Sequence, residues 1–239
     1  MKHPEHWRPT LIVNGPDGYV VNEKAIYGGS WHMLHCQIPT YLPIFRSYLR
    51  GRLLDVGCGL LPYHALCASI VDDYYGIDHP DKTQDARLLD EAVDLNRPWQ
   101  LKDTYDSVLC SDVLAHVQDP FQLFACMSAH LKVGGHLVLT TPFNYWMSAP
   151  QHEYFHPTAQ ALRMLCDRHQ LEVVELKSYG GYADIQLDLL NKRWHSGWWL
   201  KMFKVFKTLF IKTPFYARWN KKYDVNWSLG YILVARKKT

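Results

Sequence analysis

Residues 52–59 read Arg52-Leu53-Leu54-Asp55-Val56-Gly57-Cys58-Gly59, and this octet decides the fold. A short apolar strand runs into an acid and then into two glycines, which let the backbone turn sharply and approach a ligand closely. A dinucleotide fingerprint would need Gly-x-Gly-x-x-Gly, with a helix N-terminus facing a pyrophosphate. Here Pro62 holds the third glycine position, and Asp55 stands two residues before Gly57. A carboxylate there repels phosphate oxygens. It suits a ligand that carries positive charge, such as an ammonium and a sulfonium.

Outward from the octet, the pattern alternates. Short apolar runs at 53–56, 73–77, 106–110 and 136–140 suit buried parallel strands. Helices are expected over 62–70, 120–131 and 157–169, with Pro62, Pro120 and Pro157 at their heads, where proline costs no hydrogen bond. Residues 171–178 and 229–236 read as sixth and seventh strands. Strands alternating with helices imply a parallel sheet covered on both faces. Before the octet, residues 1–29 read as a loose arm rich in Pro, Gly and Asn, and 31–48 as a helix interrupted near Pro39 or Pro43.

In these motifs the chain resembles the class I S-adenosylmethionine-dependent methyltransferases, over roughly residues 50–180 plus the last strand. Leu53 to Gly59 resembles the family's first motif. Tyr74-Tyr75-Gly76-Ile77-Asp78 resembles its second strand, Ala92-Val93-Asp94-Leu95 its adenine-contacting segment, and Tyr105 to Ser111 its fourth strand. Leu114-Ala115-His116-Val117 is similar to the family's Leu-Glu-His-Val, with Ala115 replacing the glutamate. Leu131-Lys132-Val133-Gly134-Gly135 is similar to the turn before the fifth strand.

The resemblance implies an α/β fold: a doubly wound, mostly parallel seven-stranded sheet with helices on both faces and an antiparallel last strand. It implies S-adenosylmethionine as cofactor. Gly57 and Gly59 would flank the methionine part, Asp55 would support its ammonium, Asp78 would accept both ribose hydroxyls, and Asp94 would take the adenine amino group. Cys58, His79, Leu95, Ser111 and His116 complete the expected cofactor set. The bland alternative for the acids is that they cap helices or turns. The expected domains are an arm and helix over 1–50, a cofactor-binding domain over 51–181 and 225–239, and an insertion over 182–224.

The chain has 239 residues, 48% of them apolar, which suits one domain of generous size with a substantial core. No run of 18 apolar residues occurs, so a spanning helix is not expected. The N-terminus has no apolar signal region, and the six cysteines are scattered without a Cys-x-x-Cys pair. Both features point to a cytoplasmic protein with buried reduced thiols.

Methyl transfer to a hydroxyl benefits from a base. His152, Tyr154 and His156, in the loop after the fifth strand, are the candidates. They fall in His152-Glu153-Tyr154-Phe155-His156, which matches the zinc-protease pattern His-Glu-x-x-His. That chemistry needs both histidines on one helical face, and Pro157 pushes His156 away from helical dihedrals. The match is therefore read as accidental, and no metal is expected. The Asn/Asp-Pro-Pro-Tyr signature of base-amine methyltransferases is absent, which argues against a nucleic-acid acceptor.

The insertion breaks the pattern. Residues 192–222 hold nine of the 26 basic residues and no acid, leaving 17 basic against 23 acidic residues elsewhere, within a net charge of +3. On a helical wheel over 198–211, Val205, Trp198, Leu209, Met202, Phe206, Trp199, Phe210 and Phe203 share one arc, and Lys201, Lys204 and Lys207 lie opposite. Three readings stand: an interfacial helix on an anionic membrane through 194–222, a substrate lid packed on the core, or a basic stripe for RNA. The expected function is methyl transfer to a small or amphipathic acceptor, at oxygen, such as a lipid-linked sugar or quinone-like molecule. Its expected location is cytoplasmic and peripheral on the inner membrane face. The alternatives are a non-catalytic cofactor-binding protein and a soluble methyltransferase with a lid.

Overall fold

The computed structural model describes residues 6–16, 18–79, 86–147, 150–223 and 227–239. The first five residues of the expected arm lie outside them, as do residues 224–226 of the insertion boundary and the side chains of Lys221 and Lys222.

Seven strands form the main sheet: β3 (Arg52–Val56), β4 (Asp73–Asp78), β5 (Glu91–Ala92), β6 (Tyr105–Ser111), β7 (Leu131–Pro142), β8 (Leu171–Tyr179) and β9 (Gly230–Lys237), in spatial order β5-β4-β3-β6-β7-β9-β8. The first five are parallel, with Leu54 opposite both Tyr75 and Val108 and Leu109 opposite Val138. β9 runs antiparallel to β7 and to β8, with Leu233 facing Leu139 on one side and Leu176 on the other. This is the expected doubly wound sheet with its antiparallel last strand. From β3 the chain winds outward to β4 and β5, then returns to β6 on the other side of β3. That reversal puts the topological switch point between β3 and β6, where doubly wound sheets bind ligands.

Strands buried on both faces read as continuous apolar runs because successive side chains point to opposite sides. Leu54, Val108 and Leu139 pack with Leu123, Phe124, Leu162 and Leu165 on one face. Leu53, Leu109 and Val138 pack with Tyr41, Phe45 and Leu66 on the other. The first face is covered by α3 (Pro120–His130) and α4 (Ala159–Arg168). Asp119 caps α3 by accepting from the N–H groups of Phe121 (3.0 Å) and Gln122 (3.1 Å), with Pro120 in the first turn. Thr158 caps α4 through Ala161 N–H.

Three local expectations are corrected. α1 (Trp31–Tyr48) runs unbroken through Pro39 and Pro43. An internal proline costs about 3 kcal/mol, but Ile38, Tyr41, Leu42, Ile44 and Phe45 are all buried on this helix, each worth about 1.5–3 kcal/mol, so packing prevails. The arm is not loose throughout. It holds a hairpin of β1 (Ile12–Gly15) and β2 (Gly18–Val21), with Ile12 in the core and the Tyr19 hydroxyl donating to Ala65 O at 2.7 Å. The helix expected over 62–70 shrinks to α2 (His64–Cys67). Leu61 enters at φ +57°, and Ser69 and Ile70 bond three residues back, as in the tighter 3₁₀ pattern.

The insertion forms α5 (Tyr182–Arg193), α6 (Gly197–Phe210) and α7 (Pro214–Tyr223). α5 is fixed to α1 by His32 Nε2 and Asp184 Oδ1 at 3.2 Å and by Asn191 Oδ1 accepting from His32 N–H at 2.8 Å. α7 joins through Tyr216 and Asn220, which both donate to Asp184. Burial alone would raise the Asp184 carboxyl. The hydrogen bond and charge of His32, with Gly181 N–H and the Tyr216 hydroxyl, outweigh it and hold it down at about 2. α6 meets the body through fully buried Phe203, edge-on to Trp31 and His32. The lysines opposite the apolar arc divide. Lys204 and Lys207 sit over the Trp31 ring, Lys204 also pairing with Glu23 at 2.6 Å, and Lys201 stays exposed. Most of the apolar arc turns outward: Trp198 and Leu209 are each 65% exposed, and Trp199, Val205 and Phe206 lie open beside them. A lid sealed against the core by that arc is not what the helix makes.

Candidate active site

The cleft at the switch point is made by the carboxyl ends of β3, β4 and β6. Gly57 and Gly59 carry the chain out of β3 at φ +72° and +56°. A Cβ on Gly57 would stand 2.4 Å from the Val113 side chain, so glycine is required there by space as well as by backbone. At the end of β4, the buried Asp78 carboxylate accepts from Gly59 N–H (2.9 Å) and His79 N–H (2.7 Å), which orients it at the cleft. The cleft has a volume of about 270 Å³ and is lined by Gly57, Gly59, Asp78, His79, Leu95, Ser111 and His116 from the expected set, together with Asn96, Asp112, Val113 and Val117. No lysine or arginine is among these residues, and two are carboxylates, so a pyrophosphate is disfavoured. A glycine cradle beside an oriented carboxylate fits the ribose and the positively charged end of S-adenosylmethionine.

Three expected residues stand elsewhere. Asp55 lies buried beneath the turn, where it accepts from the Tyr74 hydroxyl, and it does not line the cleft. Burial, reinforced by the nearby Asp78 charge, pushes its carboxyl up to about 7 although the Tyr74 bond lowers it. Cys58 is buried behind the loop, against Gly76. Asp94 accepts from Asn96 N–H at 2.9 Å and pairs with Arg97 at 3.2 Å, and the cleft is lined by Leu95 and Asn96 in its place. The Asp94 side chain thus closes its own turn, and it also lies 4.0 Å from Nε2 of cleft-lining His79.

A second cleft of about 240 Å³ shares Asp112 and His116 with the first and adds Gln37, Tyr145, Glu153 and Tyr179, among others. Of the loop after β7, Glu153 lines it, whereas His152, Tyr154 and His156 do not. His152 offers its carbonyl to His116 Nδ1 at 2.8 Å, Tyr154 receives a bond from Gln118, and His156 Nε2 pairs with Glu153 at 2.8 Å. Residues 152–158 form no helix, so His152 and His156 are not paired on a helical face as the zinc pattern requires. Tyr154 N–H donates to Ala115 O at 2.6 Å, which ties the loop beside Glu153 to the segment after β6.

Sequence reasoning missed Asp112. It follows β6 at φ +56°, a conformation uncommon outside glycine that asparagine and aspartate tolerate best. Gln37 Nε2 donates to its Oδ2 at 2.9 Å and Thr140 Oγ1 to its Oδ1 at 3.1 Å. Burial pushes this carboxyl up to about 6 against the lowering effect of those two bonds and of His116.

A family model described as a methyltransferase domain matches residues 35–176, more than half of the sequence. The chain belongs to this family, that of the S-adenosylmethionine-dependent class I methyltransferases. No curated protein matches the methyltransferase in sequence. Among solved structures it is similar to an S-adenosylmethionine-dependent methyltransferase from Mesorhizobium loti, at 16% identity and a TM-score of 0.54, covering 87% of this chain and 98% of that one. It is also similar to phosphoethanolamine N-methyltransferase 2 from Haemonchus contortus in complex with S-adenosyl-L-methionine, at 17% identity and 0.54, covering 90% and 57%. A cyclase, SpnF, is alike at 16% and 0.55, covering 87% and 83%. At these identities the likeness is one of fold. The methyltransferase's cofactor is S-adenosylmethionine, and Gly57, Gly59 and Asp78 line the cleft whose chemistry fits it.

Proposed function

We propose that the enzyme transfers a methyl group from S-adenosylmethionine to a hydroxyl oxygen of a small or amphipathic acceptor seated in the second cleft. The observation that carries this reading is the meeting of the two clefts at Asp112 and His116. An acceptor on one side of that junction can approach a methyl donor on the other, and holding both supplies much of the rate. The cofactor, when bound, supplies the electrophilic methyl carbon. The chain's own residues position the two reactants and exclude water.

The exposed face of α6 supports an acceptor that resides in or near a membrane. Trp198, Val205, Phe206 and Leu209 are open, and Lys201, Lys212 and Arg218 are exposed nearby, in a segment without acids. No helix among the described residues is long and apolar enough to cross a membrane, so the contact proposed is peripheral, with aromatics inserted and lysines at anionic headgroups. Incubation of the protein with methyl-labelled S-adenosylmethionine and an organic-solvent extract of membranes tests the reading. Label appearing in a base-stable methyl ether supports it. Cofactor binding with no transfer to lipid or water-soluble extracts would replace it with a non-catalytic binding protein.

A further inference from the structure

We propose that Asp112 is the group that takes the proton from the acceptor hydroxyl. The proposal rests on the reading above, that the second cleft holds a hydroxyl acceptor. Asp112 lines both clefts, so its carboxylate borders the place where acceptor and methyl donor meet. Its backbone is held at φ +56° by N–H bonds to Thr140 O (3.0 Å) and Thr140 Oγ1 (3.1 Å). A non-glycine residue kept in that region is a feature that clusters at functional sites. Gln37 and Thr140 hold one oxygen each, which fixes the carboxylate plane while leaving further lone pairs to accept.

The groups that face Asp112 are mostly neutral. Gln37 and Tyr41 come from α1, Tyr63 from the turn before α2, Cys110 and Thr140 from β6 and β7, Tyr145 from the loop after β7, and Tyr179 from β8. The remaining titratable groups that line the clefts with it are His116 on both, Glu153 on the second, already paired with His156, and Asp78 and His79 on the first. The neutral wall and burial raise the carboxyl into the range where it can hold and release a proton near neutral pH.

In the step, the acceptor O–H bond breaks and its proton passes to an Asp112 oxygen. The oxygen lone pair forms the new bond to the methyl carbon, and the carbon–sulfur pair stays with sulfur, leaving S-adenosylhomocysteine. Asp112 then returns the proton to water. Gln37 is a positioning residue: its N–H stabilises the charged carboxylate, and its loss should move the Asp112 titration upward.

Two measurements test this. The first is transfer from labelled S-adenosylmethionine to the membrane extract, across pH, for wild type, Asp112→Asn, Gln37→Leu and His116→Gln. Asp112→Asn should slow transfer by about 10²–10⁴-fold, the range of general-base effects, and abolish the acid limb of the profile near pH 6. Its affinity for S-adenosylhomocysteine should stay within tenfold of wild type. Gln37→Leu should shift the acid limb to higher pH. Equal rates and profiles for Asp112→Asn and wild type, or loss of the limb only in His116→Gln, would overturn the assignment while leaving the reading of function intact. The second measurement needs no acceptor: infrared difference spectra between wild type and Asp112→Asn, with S-adenosylhomocysteine bound. A protonated carboxyl band that grows as pH falls through about 6 supports the assignment. If wild type labels nothing in the extract, the functional reading fails, and a carboxyl that shows no such titration rejects the base independently.

Discussion

Asp55 and Asp112 are carboxylates that the fold keeps at a cost, and pH exposes that cost. Each has a folded pKa above the ordinary value of 3.8, at about 7 and about 6 respectively. Between 3.8 and the raised value, the folded protein binds the proton more tightly than the unfolded chain. Their contribution to stability is therefore greatest at low pH and declines as pH rises through that window. Asp112→Asn should accordingly be more stable than wild type at pH 7, by on the order of 1–3 kcal/mol. The gap should close as pH is lowered from 6 toward 4, as read by denaturant melts. A gap independent of pH would mean that the carboxyl is not raised. Asp184, held at about 2, acts oppositely: the stability it confers is present above 3.8 and is lost as pH falls toward 2, so Asp184→Asn should be the less stable protein at pH 6. On the acceptor side, His152→Ala and His156→Ala should each change transfer by less than tenfold, because neither side chain lines the second cleft. A loss beyond the low edge of general-base effects, about 10²-fold, would return the base to that loop. Gly57, Gly59 and Asp78 were legible in the sequence because motif and spacing mark them. Asp112 and Glu153 were not. One sits at a left-handed backbone angle and the other in an irregular loop tied to Ala115 through Tyr154, and neither leaves a periodic trace.

At the scale of elements, strands were the most legible part, since β3, β4, β6 and β9 each carry a short apolar core, such as Leu53-Leu54, Val108-Leu109-Cys110 and Tyr231 to Ala235, between polar residues. α1 was not, because its two prolines outweigh its pattern until the packing of Tyr41 and Phe45 is known. The hairpin over Ile12–Val21 was hidden by a composition typical of loops. α6 was found by periodicity, but the wheel shows only that Lys204 and Lys207 lie opposite the apolar arc, whereas Trp31 and Glu23 draw them against the body. Periodicity reports which residues share a face, not which face meets the body. Phe203, fully buried, anchors the helix, and Phe203→Ala should cost about 3–5 kcal/mol and increase exchange of α6 amides. Trp198, Val205 and Leu209 carry the outward face. Replacing all three with serine should leave stability nearly unchanged and abolish sedimentation with vesicles containing acidic lipids. Retained binding in that variant would remove α6 from the membrane contact.

Taken whole, the molecule places its first cleft at the β3–β6 reversal, the second beside it under α1, and its basic insertion on the same side. Ser30, Met33 and Gln37 of the α1 region line the second cleft, and Trp31 and His32 between them meet α6. Lys192 of α5 sits 4.0 Å above the ring of Tyr145, another lining residue. An amphipathic acceptor held at a membrane surface would thus reach the cleft past the insertion. Everything downstream depends on the glycine cradle and Asp78 holding the donor. Calorimetric titration of the purified protein with S-adenosylhomocysteine and with NAD tests that most directly. S-adenosylhomocysteine should bind one per chain and NAD should not. Asp78→Ala should weaken the former by about 1.5–3 kcal/mol, the scale of a charged hydrogen bond. NAD binding without S-adenosylhomocysteine binding, or an Asp78→Ala variant of unchanged affinity, would contradict the account.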